Sequence, residues 1–341
     1  MATRVQPIGR RGSRALPLLQ QQGAFVALLV VLVIGLTRYG AHFRSGFNIW
    51  EMLRNNSYYG LIALGMTFVI MTGGIDLSVG AVAALTAVAA ARLSPHGIWV
   101  GTIGAVALGL GVGMINGGLI AKFKIQPFIV TLAMLLACRG AALNLAHNAN
   151  VSVDFGSGFI KIGQSNIGRV PVPVVITLVA YAVGSIILNL TRFGRHILAI
   201  GGNEEASRLA GLPVFRTTVA VYALSGALAG LAGAILSALA YTGSPNFSTG
   251  WELSAIAAVV LGGTLLTGGR GSVGSTLAGV LFLGVVFNEL NFERSKGTFQ
   301  LTQYWEQVIR GALLLIVVLL QARLARTSIK SVADVPSAAP G

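Results

Sequence analysis

The chain consists of long apolar stretches separated by short polar and basic segments. A membrane-crossing helix needs about 20 mostly apolar residues, and ten stretches approach that length: 24–37, 57–72, 79–93, 98–121, 127–146, 172–190, 217–241, 253–267, 273–288 and 304–320. Several are short for a full crossing, so discontinuous or tilted helices are expected and the true count can be lower. The pattern predicts an all-α fold, a polytopic transmembrane helical bundle of about ten spans.

Composition supports a membrane protein over a soluble one. Of the 341 residues, 54% are hydrophobic and only 10% are charged, against about 25% charged in soluble domains. The 45 glycines suit helices that pack closely in lipid. The single cysteine, Cys138, cannot form an intramolecular disulfide and is interpreted as a small buried hydrophobic residue.

Basic residues predict the orientation of the bundle. A net charge of +14 would suggest nucleic acid in a soluble protein, but here Lys and Arg lie mostly between apolar runs, so lipid is the expected contact. Their bias towards alternate loops predicts cytoplasmic termini. The expected organisation is a cytoplasmic tail (1–20), a transmembrane domain (21–325) with a cytoplasmic loop (191–216), and a disordered cytoplasmic tail (326–341).

One carboxylate, Asp76, lies in a glycine-rich break between the apolar runs 61–71 and 81–91. A carboxylate at such a position calls for a specific role. Asp76 could satisfy free backbone N–H groups or cap the next helix; alternatively, it could respond to events on the cytoplasmic side, at whose membrane edge we expect it. Residues 267–274 echo residues 72–80, which suggests an internal repeat. The predicted hinge residues are Gly73, Gly74, Asp76 and Gly80.

A short helix with both ends marked is predicted in the cytoplasmic loop. Asn203 is a preferred N-cap, Glu204 and Glu205 suit the positive end of a helix dipole, and Gly211 suits the position after the helix. Two turns are too few to be stable alone. The helix either packs on its own protein or contacts a cytoplasmic partner.

The sequence contains no catalytic or nucleotide-binding motif in a context that supports it. Residues 269–274 fit G-x-G-x-x-G, but apolar spans flank them instead of a βαβ unit. No phosphate-binding G-x-x-x-x-G-K-[ST] loop occurs, so the chain is not expected to hydrolyse ATP. The four histidines show no metal-ligand spacing, and no catalytic triad is apparent. We therefore predict no enzyme activity, no metal and no cofactor in this chain.

Several short segments between residues 50 and 320 resemble segments of one protein family, and they occur in the same order as in that family. They are 65–67, 73–80, 126–133, 139–140, 192–194, 199–203, 252–264 and 266–269. The run Gly-Gly-Ile-Asp-Leu-Ser-Val-Gly at 73–80 is highly specific. Together they resemble permease subunits of bacterial ABC sugar importers, the ribose/galactose type related to branched-chain amino acid permeases. Within that group the chain is most similar to galactofuranose-type permeases.

The resemblance implies a function and a set of partners. It implies a permease of the bacterial inner membrane that imports a monosaccharide, pentose or hexose, delivered by a periplasmic sugar-binding protein. It also implies a second permease, identical or different, and nucleotide-binding subunits that hold ATP and Mg²⁺. The region that matches the family's coupling helix is 203–211, which gives these coupling residues: Asn203, Glu204, Glu205, Ala206, Arg208 and Gly211.

Polar residues within the spans are candidates for a translocation path. Arg139 lies about 18 Å beyond Pro127 at 1.5 Å per residue; it could pair with Asp154 or Glu252, or face the path. Polar contacts between helices explain the other residues nearly as well. The candidates are Thr67, Asn116, Arg139, Asn144, Trp251, Glu252 and Asn288.

Two other classes of protein stay open on the residues alone. An ion-coupled secondary transporter of a small solute would need an acidic or basic residue in the membrane that titrates, and Asp76 is the main candidate. A membrane-embedded enzyme would need clustered catalytic residues, which the sequence does not offer.

Overall fold

The computed structural model describes residues 15–296, 305, 307–309, 311–316 and 319. Residues 1–14, parts of the predicted stretch 304–320 and the predicted tail 326–341 lie outside the described residues. The helices are α1 (Ala15–Phe43), α2 (Gly46–Met71), α3 (Val79–Leu93), α4 (Ile98–Phe123), α5 (Pro127–Leu145), α6 (Lys161–Gln164), α7 (Val172–Leu190), α8 (Arg192–Gly202), α9 (Glu204–Leu209), α10 (Val214–Leu239), α11 (Trp251–Leu261) and α12 (Val273–Lys296).

The all-α prediction is confirmed. Within the described residues, seven helical segments are long and apolar enough to cross a membrane, namely α1, α3 with the 3₁₀ turn Ser94–His96, α4, α5, α7, α10 and α12. The 26-residue α2 is longer than the predicted 57–72. In contrast, α11 ends at Leu261, because the chain turns into a second glycine-rich break before residue 267.

Helix α10 lies at the centre of the bundle, against α2, α3 and α4. Glycine makes its contact with α4 possible. A Cβ atom on Gly226 would collide with the Gly109 carbonyl, and one on Gly109 would collide with the Gly226 carbonyl. Two helix backbones approach this closely only where side chains are absent, as is typical of helices in lipid.

The break between α2 and α3 lies inside the bundle. The carboxylate of Asp76, which is 1% exposed, accepts a hydrogen bond from Ser225 of α10. Ser225 is about 16 Å along α10 from Val214 at 1.5 Å per residue. The expectation that Asp76 lies at the membrane edge is therefore wrong: after Thr72 the chain turns back between the helices, and α3 starts deep in the bundle.

Helix α11 also starts inside the bundle. Gly250, immediately before it, has φ 81°, a conformation that glycine adopts without strain. A Cβ on Gly80, at the start of α3, would lie 2.5 Å from Glu252 Oε2 at the start of α11. The first turns of α3 and α11 therefore meet within the protein.

Short strands close the end of the bundle opposite α9, here called the far end. Strand β1 (Val151–Ser152) lies in the predicted polar loop 148–169. It pairs antiparallel with β4 (Thr242–Gly243), which follows α10. The strands β2 (Asn166–Ile167) and β3 (Val170–Pro171) form a hairpin. The β1–β4 pair joins the loop before α7 to the end of α10, and the hairpin leads into α7.

Candidate functional site

The predicted helix α9 is present, with the predicted ends. The Asn203 side chain accepts a hydrogen bond from the Ala206 amide at 2.9 Å, so it is the N-cap. Gly211 has φ 78°, and the Leu212 amide donates to the Ser207 carbonyl at 3.0 Å. This is the Schellman arrangement that ends a helix at a left-handed residue.

Most of the α9 surface is exposed. Of the residues from Asn203 to Ala210, only Ser207 is buried. Arg208 and Glu204 form an ion pair at 2.5 Å, but an exposed pair of this kind contributes little stability. Leu209 is 86% exposed, so the described part of the chain does not cover it. A short capped helix with a solvent-exposed leucine and three charged side chains is suited to contact another protein.

A cleft of about 780 Å³ lies beside α9. Glu204, Glu205 and Arg208 line one side of it. The turn between α4 and α5 lines another side, with Lys124 and Gln126. Gly73, Gly74 and Tyr222 also line the cleft. The exposed helix and the first residues of the α2–α3 break therefore border the same space.

Three glycine-containing segments meet beneath α9. The Gly269 amide donates to the Met71 carbonyl at 2.9 Å. A Cβ on Gly201, near the end of α8, would collide with that same carbonyl and lie 2.5 Å from the Gly269 nitrogen. The two glycine-rich breaks that resemble each other in sequence are thus in contact, and the segment leading into α9 packs on both.

Asp76 is the centre of a buried polar network. One carboxylate oxygen accepts hydrogen bonds from the Ser78 amide at 3.0 Å and the Ser78 hydroxyl at 2.6 Å. The other accepts from the Ser225 hydroxyl at 3.0 Å. Asn116 donates to Ser78 Oγ at 3.0 Å. Asp76 therefore satisfies a free backbone N–H of the break and ties α3, α4 and α10 together, as its structural interpretation requires.

Three of the candidate path residues make polar contacts between helices. The Thr67 hydroxyl lies 2.9 Å from that of Thr276. The side chains of Asn288 and Asn48 exchange hydrogen bonds at 2.9 and 3.2 Å. Asn116 bonds within the Asp76 network. Each contact links two helices, which explains these residues without a solute.

Arg139 has a different partner from those expected. Its guanidinium donates to the Phe247 carbonyl at 2.9 Å and to the Pro245 carbonyl. It forms no ion pair with Asp154 or Glu252. Arg139 thereby holds the loop that runs from β4 into the bundle towards α11. Asn144 is exposed on α5.

Sequence reasoning missed several residues that the fold places beside the predicted ones, namely Tyr58 and Tyr59 beside Trp251, and Ser225 and Tyr222 beside the Asp76 break. Trp251 stacks on Tyr58, with ring centroids 4.9 Å apart and an interplanar angle of 9°, and contacts Tyr59 at 4.2 Å. Ser225 and Tyr222, one turn apart on α10, face the Asp76 break. Their three-residue spacing in an apolar helix was a usable signal, whereas nothing in the sequence joins Tyr58 to Trp251.

These features define a class: a multi-pass helical membrane protein with an exposed capped helix at one end and a polar break within. A family model described as branched-chain amino acid transport system / permease component matches residues 48–318. The chain is 39% identical to the ribose import permease of Escherichia coli K12 over 308 residues, 88% of this chain and 93% of the relative.

Two further relatives are also sugar permeases that match most of the chain. The ribose import permease of Bacillus subtilis is 40% identical over 311 residues, 89% of this chain and 94% of the relative. The L-arabinose permease of E. coli K12 is 36% identical over 300 residues, 87% of this chain and 89% of the relative. No solved structure matches the chain. The protein belongs to the branched-chain amino acid transport system permease family, which confirms the resemblance.

Proposed function

We propose that the chain is one of two permease subunits in an ATP-driven importer of a monosaccharide in the bacterial inner membrane. The relatives described above import ribose and L-arabinose, so a pentose is the first candidate. None of them supports the narrower expectation of galactofuranose. A periplasmic binding protein delivers the sugar, and the path runs beside a second permease, identical or different.

The exposed α9 helix carries this proposal. Its charges and the bare Leu209 face outwards, while Gly201, just before it, packs on Met71 and Gly269. A partner that moves α9 thereby moves both glycine-rich breaks. Separate ATPase subunits, which bind ATP and Mg²⁺, supply the force at α9. The coupling residues are those predicted: Asn203, Glu204, Glu205, Ala206, Arg208 and Gly211.

The same assignment gives the orientation. The α9 end faces the cytoplasm with both termini, and the far end faces the periplasm, where the binding protein docks. The predicted boundaries, with a transmembrane domain at 21–325 and tails on either side, belong to this proposal. The hinge is the break containing Gly73, Gly74, Asp76 and Gly80, which α9 reaches through Met71.

An ion-coupled transporter is the weaker candidate. Asp76 would have to take up and release a coupling ion during transport. Both oxygens of its carboxylate already accept hydrogen bonds from Ser78 and Ser225, which suits a fixed structural acceptor. A relative in Azospirillum brasilense, 35% identical over 300 residues, is named as an L-arabinose ABC transporter permease, which favours coupling to ATP.

Charge reversal at α9 tests the proposed function. Glu205→Lys and Arg208→Glu are exposed, so membrane yield and thermal stability should match the wild type. Like charges placed in a contact can cost several kcal/mol, so we expect lost co-purification of the ATPase and lost uptake of labelled D-ribose or L-arabinose for at least one variant. Arg169→Glu, exposed at the far end, is the control and should retain the ATPase. Wild-type ATPase binding and uptake in both α9 variants would contradict the assignment.

A further inference from the structure

A second cavity opens between α2 and α12, in the halves of these helices nearer the far end. Its volume is about 230 Å³. One carboxylate, four carboxamides and two phenol rings contribute to its wall, and we call it the amide cavity. These residues are Glu51, Asn55, Asn56, Asn288, Asn291, Tyr58 and Tyr59.

The amide cavity lies well within the length of α2, where polar side chains in contact with lipid would be energetically costly. Tyr59 is about 18 Å from Met71 along α2 at 1.5 Å per residue, near the middle of this 26-residue helix, and Asn55 lies about one turn further towards the far end. Polar side chains in contact with lipid are costly, and they normally face a water-filled space or a partner. The carboxamides therefore indicate that this face of α2 and α12 borders a hydrated space.

The charges of the cavity favour a neutral ligand. Glu51 forms an ion pair with Arg54 at 2.6 Å, so its charge is compensated. The four carboxamides are uncharged. Asn288 is paired with Asn48, and Asn56 donates to the Met52 carbonyl. The exposed Asn55 and Asn291 are therefore the ones that would meet a ligand. A carboxamide offers two N–H donors and an acceptor oxygen, a combination that matches hydroxyl groups, which both donate and accept.

Size and shape narrow the ligand further. Pockets for drug-sized ligands typically measure about 300–1,000 Å³, so a cavity of about 230 Å³ suits one sugar ring and not an oligosaccharide. Tyr58 and Tyr59 add flat apolar walls to the polar ones. An aromatic wall with a few polar groups is the usual composition of a small-molecule site.

The cavity is joined to the start of α11 through Trp251. This residue stacks on Tyr58, contacts Tyr59 and is the first residue of α11. The loop before it is held by Arg139 through the Pro245 and Phe247 carbonyls. A ligand against the two tyrosines would therefore lie one side chain away from α11, whose first turn meets that of α3.

We propose that the amide cavity binds a single neutral monosaccharide on its way from the far end to the break at Asp76. The site deepens the proposed function and rests on it for the source of the sugar. Its position assigns it to the stage after sugar leaves the binding protein and before sugar reaches the break at Asp76.

Protection of a cysteine tests binding directly. Asn55→Cys is made in the full-length Cys138→Ala chain in nanodiscs and treated with a membrane-impermeant methanethiosulfonate. D-ribose, L-arabinose, D-galactose and D-glucose are the probes, each at millimolar concentration. We expect at least one to slow modification by the factor 1 + [L]/Kd that one site predicts. D-gluconate, which is charged, should not. Phe47→Cys, on α2 but outside the cavity and 80% exposed, should react equally with and without sugar.

The outcomes separate the site from the transport function. Sugar protection at Asn55→Cys, together with a wild-type chain that fails to support sugar uptake in cells, would uphold the site and reject the importer. Normal uptake with no protection by any of the four sugars would overturn the site alone. Equal protection at Phe47→Cys would also overturn it, since the effect would then be global. If Asn55→Cys does not fold, Asn291→Cys, also exposed on the cavity wall, takes its place with the same expectations.

Discussion

The Gly269 amide donates a hydrogen bond to the Met71 carbonyl at 2.9 Å, which joins the two glycine-rich breaks of the chain. Met71 ends α2 immediately before the first break, and Gly269 lies in the second. Gly201 packs on both groups from the segment that leads into α9. A displacement of α9 therefore reaches both interrupted helix pairs, α2–α3 and α11–α12, through one contact.

Gly201→Ala should uncouple this contact. The new Cβ would collide with the Met71 carbonyl and lie 2.5 Å from the Gly269 nitrogen, and these are backbone atoms that cannot turn aside. Overpacking of this kind costs about 1–3 kcal/mol. We expect a lower thermal unfolding midpoint in detergent and loss of sugar uptake.

The neighbouring glycine supplies the control for that experiment. A Cβ on Gly202 would have no atom within 4 Å, so Gly202→Ala should match the wild type in both stability and uptake. Equal behaviour of the two variants would show that the close approach of Gly201 to Met71 has no role in coupling.

Local signals predicted the ends of α9 correctly. The N-cap Asn203 and the left-handed Gly211 each act within one or two turns. The sequence alone therefore contains the information that places the two ends of the helix. The same holds for α7, whose predicted bounds match the structure, because Pro173 and Thr191 mark its ends locally.

Depth in the bundle could not be predicted in the same way. Apolar runs on both sides of Asp76 gave the position of the break along the chain, but not that it turns back towards Ser225. That path depends on the contact of α2 and α10, where Gly65 lets Ser225 approach. The partner of Arg139 was missed for the same reason, since the Phe247 carbonyl is a backbone group of a distant loop.

Gly211→Val should damage α9 through the backbone alone. A Cβ on Gly211 would meet no atom within 4 Å, but its φ is 78°, and a left-handed conformation costs other residues about 1–2 kcal/mol. We expect reduced co-purification of the ATPase. Gly211→Asn should retain more binding, because Asn tolerates this conformation. Gly118→Val, at an open helical glycine on α4, controls for the added side chain; if it lowers binding equally, the conformational argument fails.

Cysteine labelling can establish which end of the bundle faces the cytoplasm. Leu209 on α9 and Phe155 in the far-end loop are 86% and 64% exposed, and Cys138 is buried. In a Cys138→Ala background we expect Leu209→Cys to react with an impermeant thiol reagent only in inside-out vesicles. Phe155→Cys should react only in right-side-out vesicles. The reverse pattern would invert the proposed topology and place α9 out of reach of an ATPase.

Substitutions at Asp76 should distinguish a structural acceptor from a titrating group. Asp76→Leu leaves the Ser78 and Ser225 donors buried without an acceptor, and such groups cost about 1–3 kcal/mol each. Asp76→Asn keeps one oxygen for Ser78 and offers an N–H to the Ser225 hydroxyl, which can accept it. We therefore expect a large drop in the thermal unfolding midpoint for Leu and a small one for Asn.

Transport by the Asp76→Asn protein completes the test. A carboxamide cannot exchange a proton at neutral pH, so an ion-coupled carrier would lose uptake while its stability stayed near that of the wild type. An ATP-driven permease should retain uptake in proportion to its folded fraction. It should also do so when a protonophore collapses the proton gradient with cellular ATP intact. Loss of uptake in a stable Asp76→Asn protein, together with sensitivity of the wild type to the protonophore, would make Asp76 the coupling group and reject the ATP-driven mechanism.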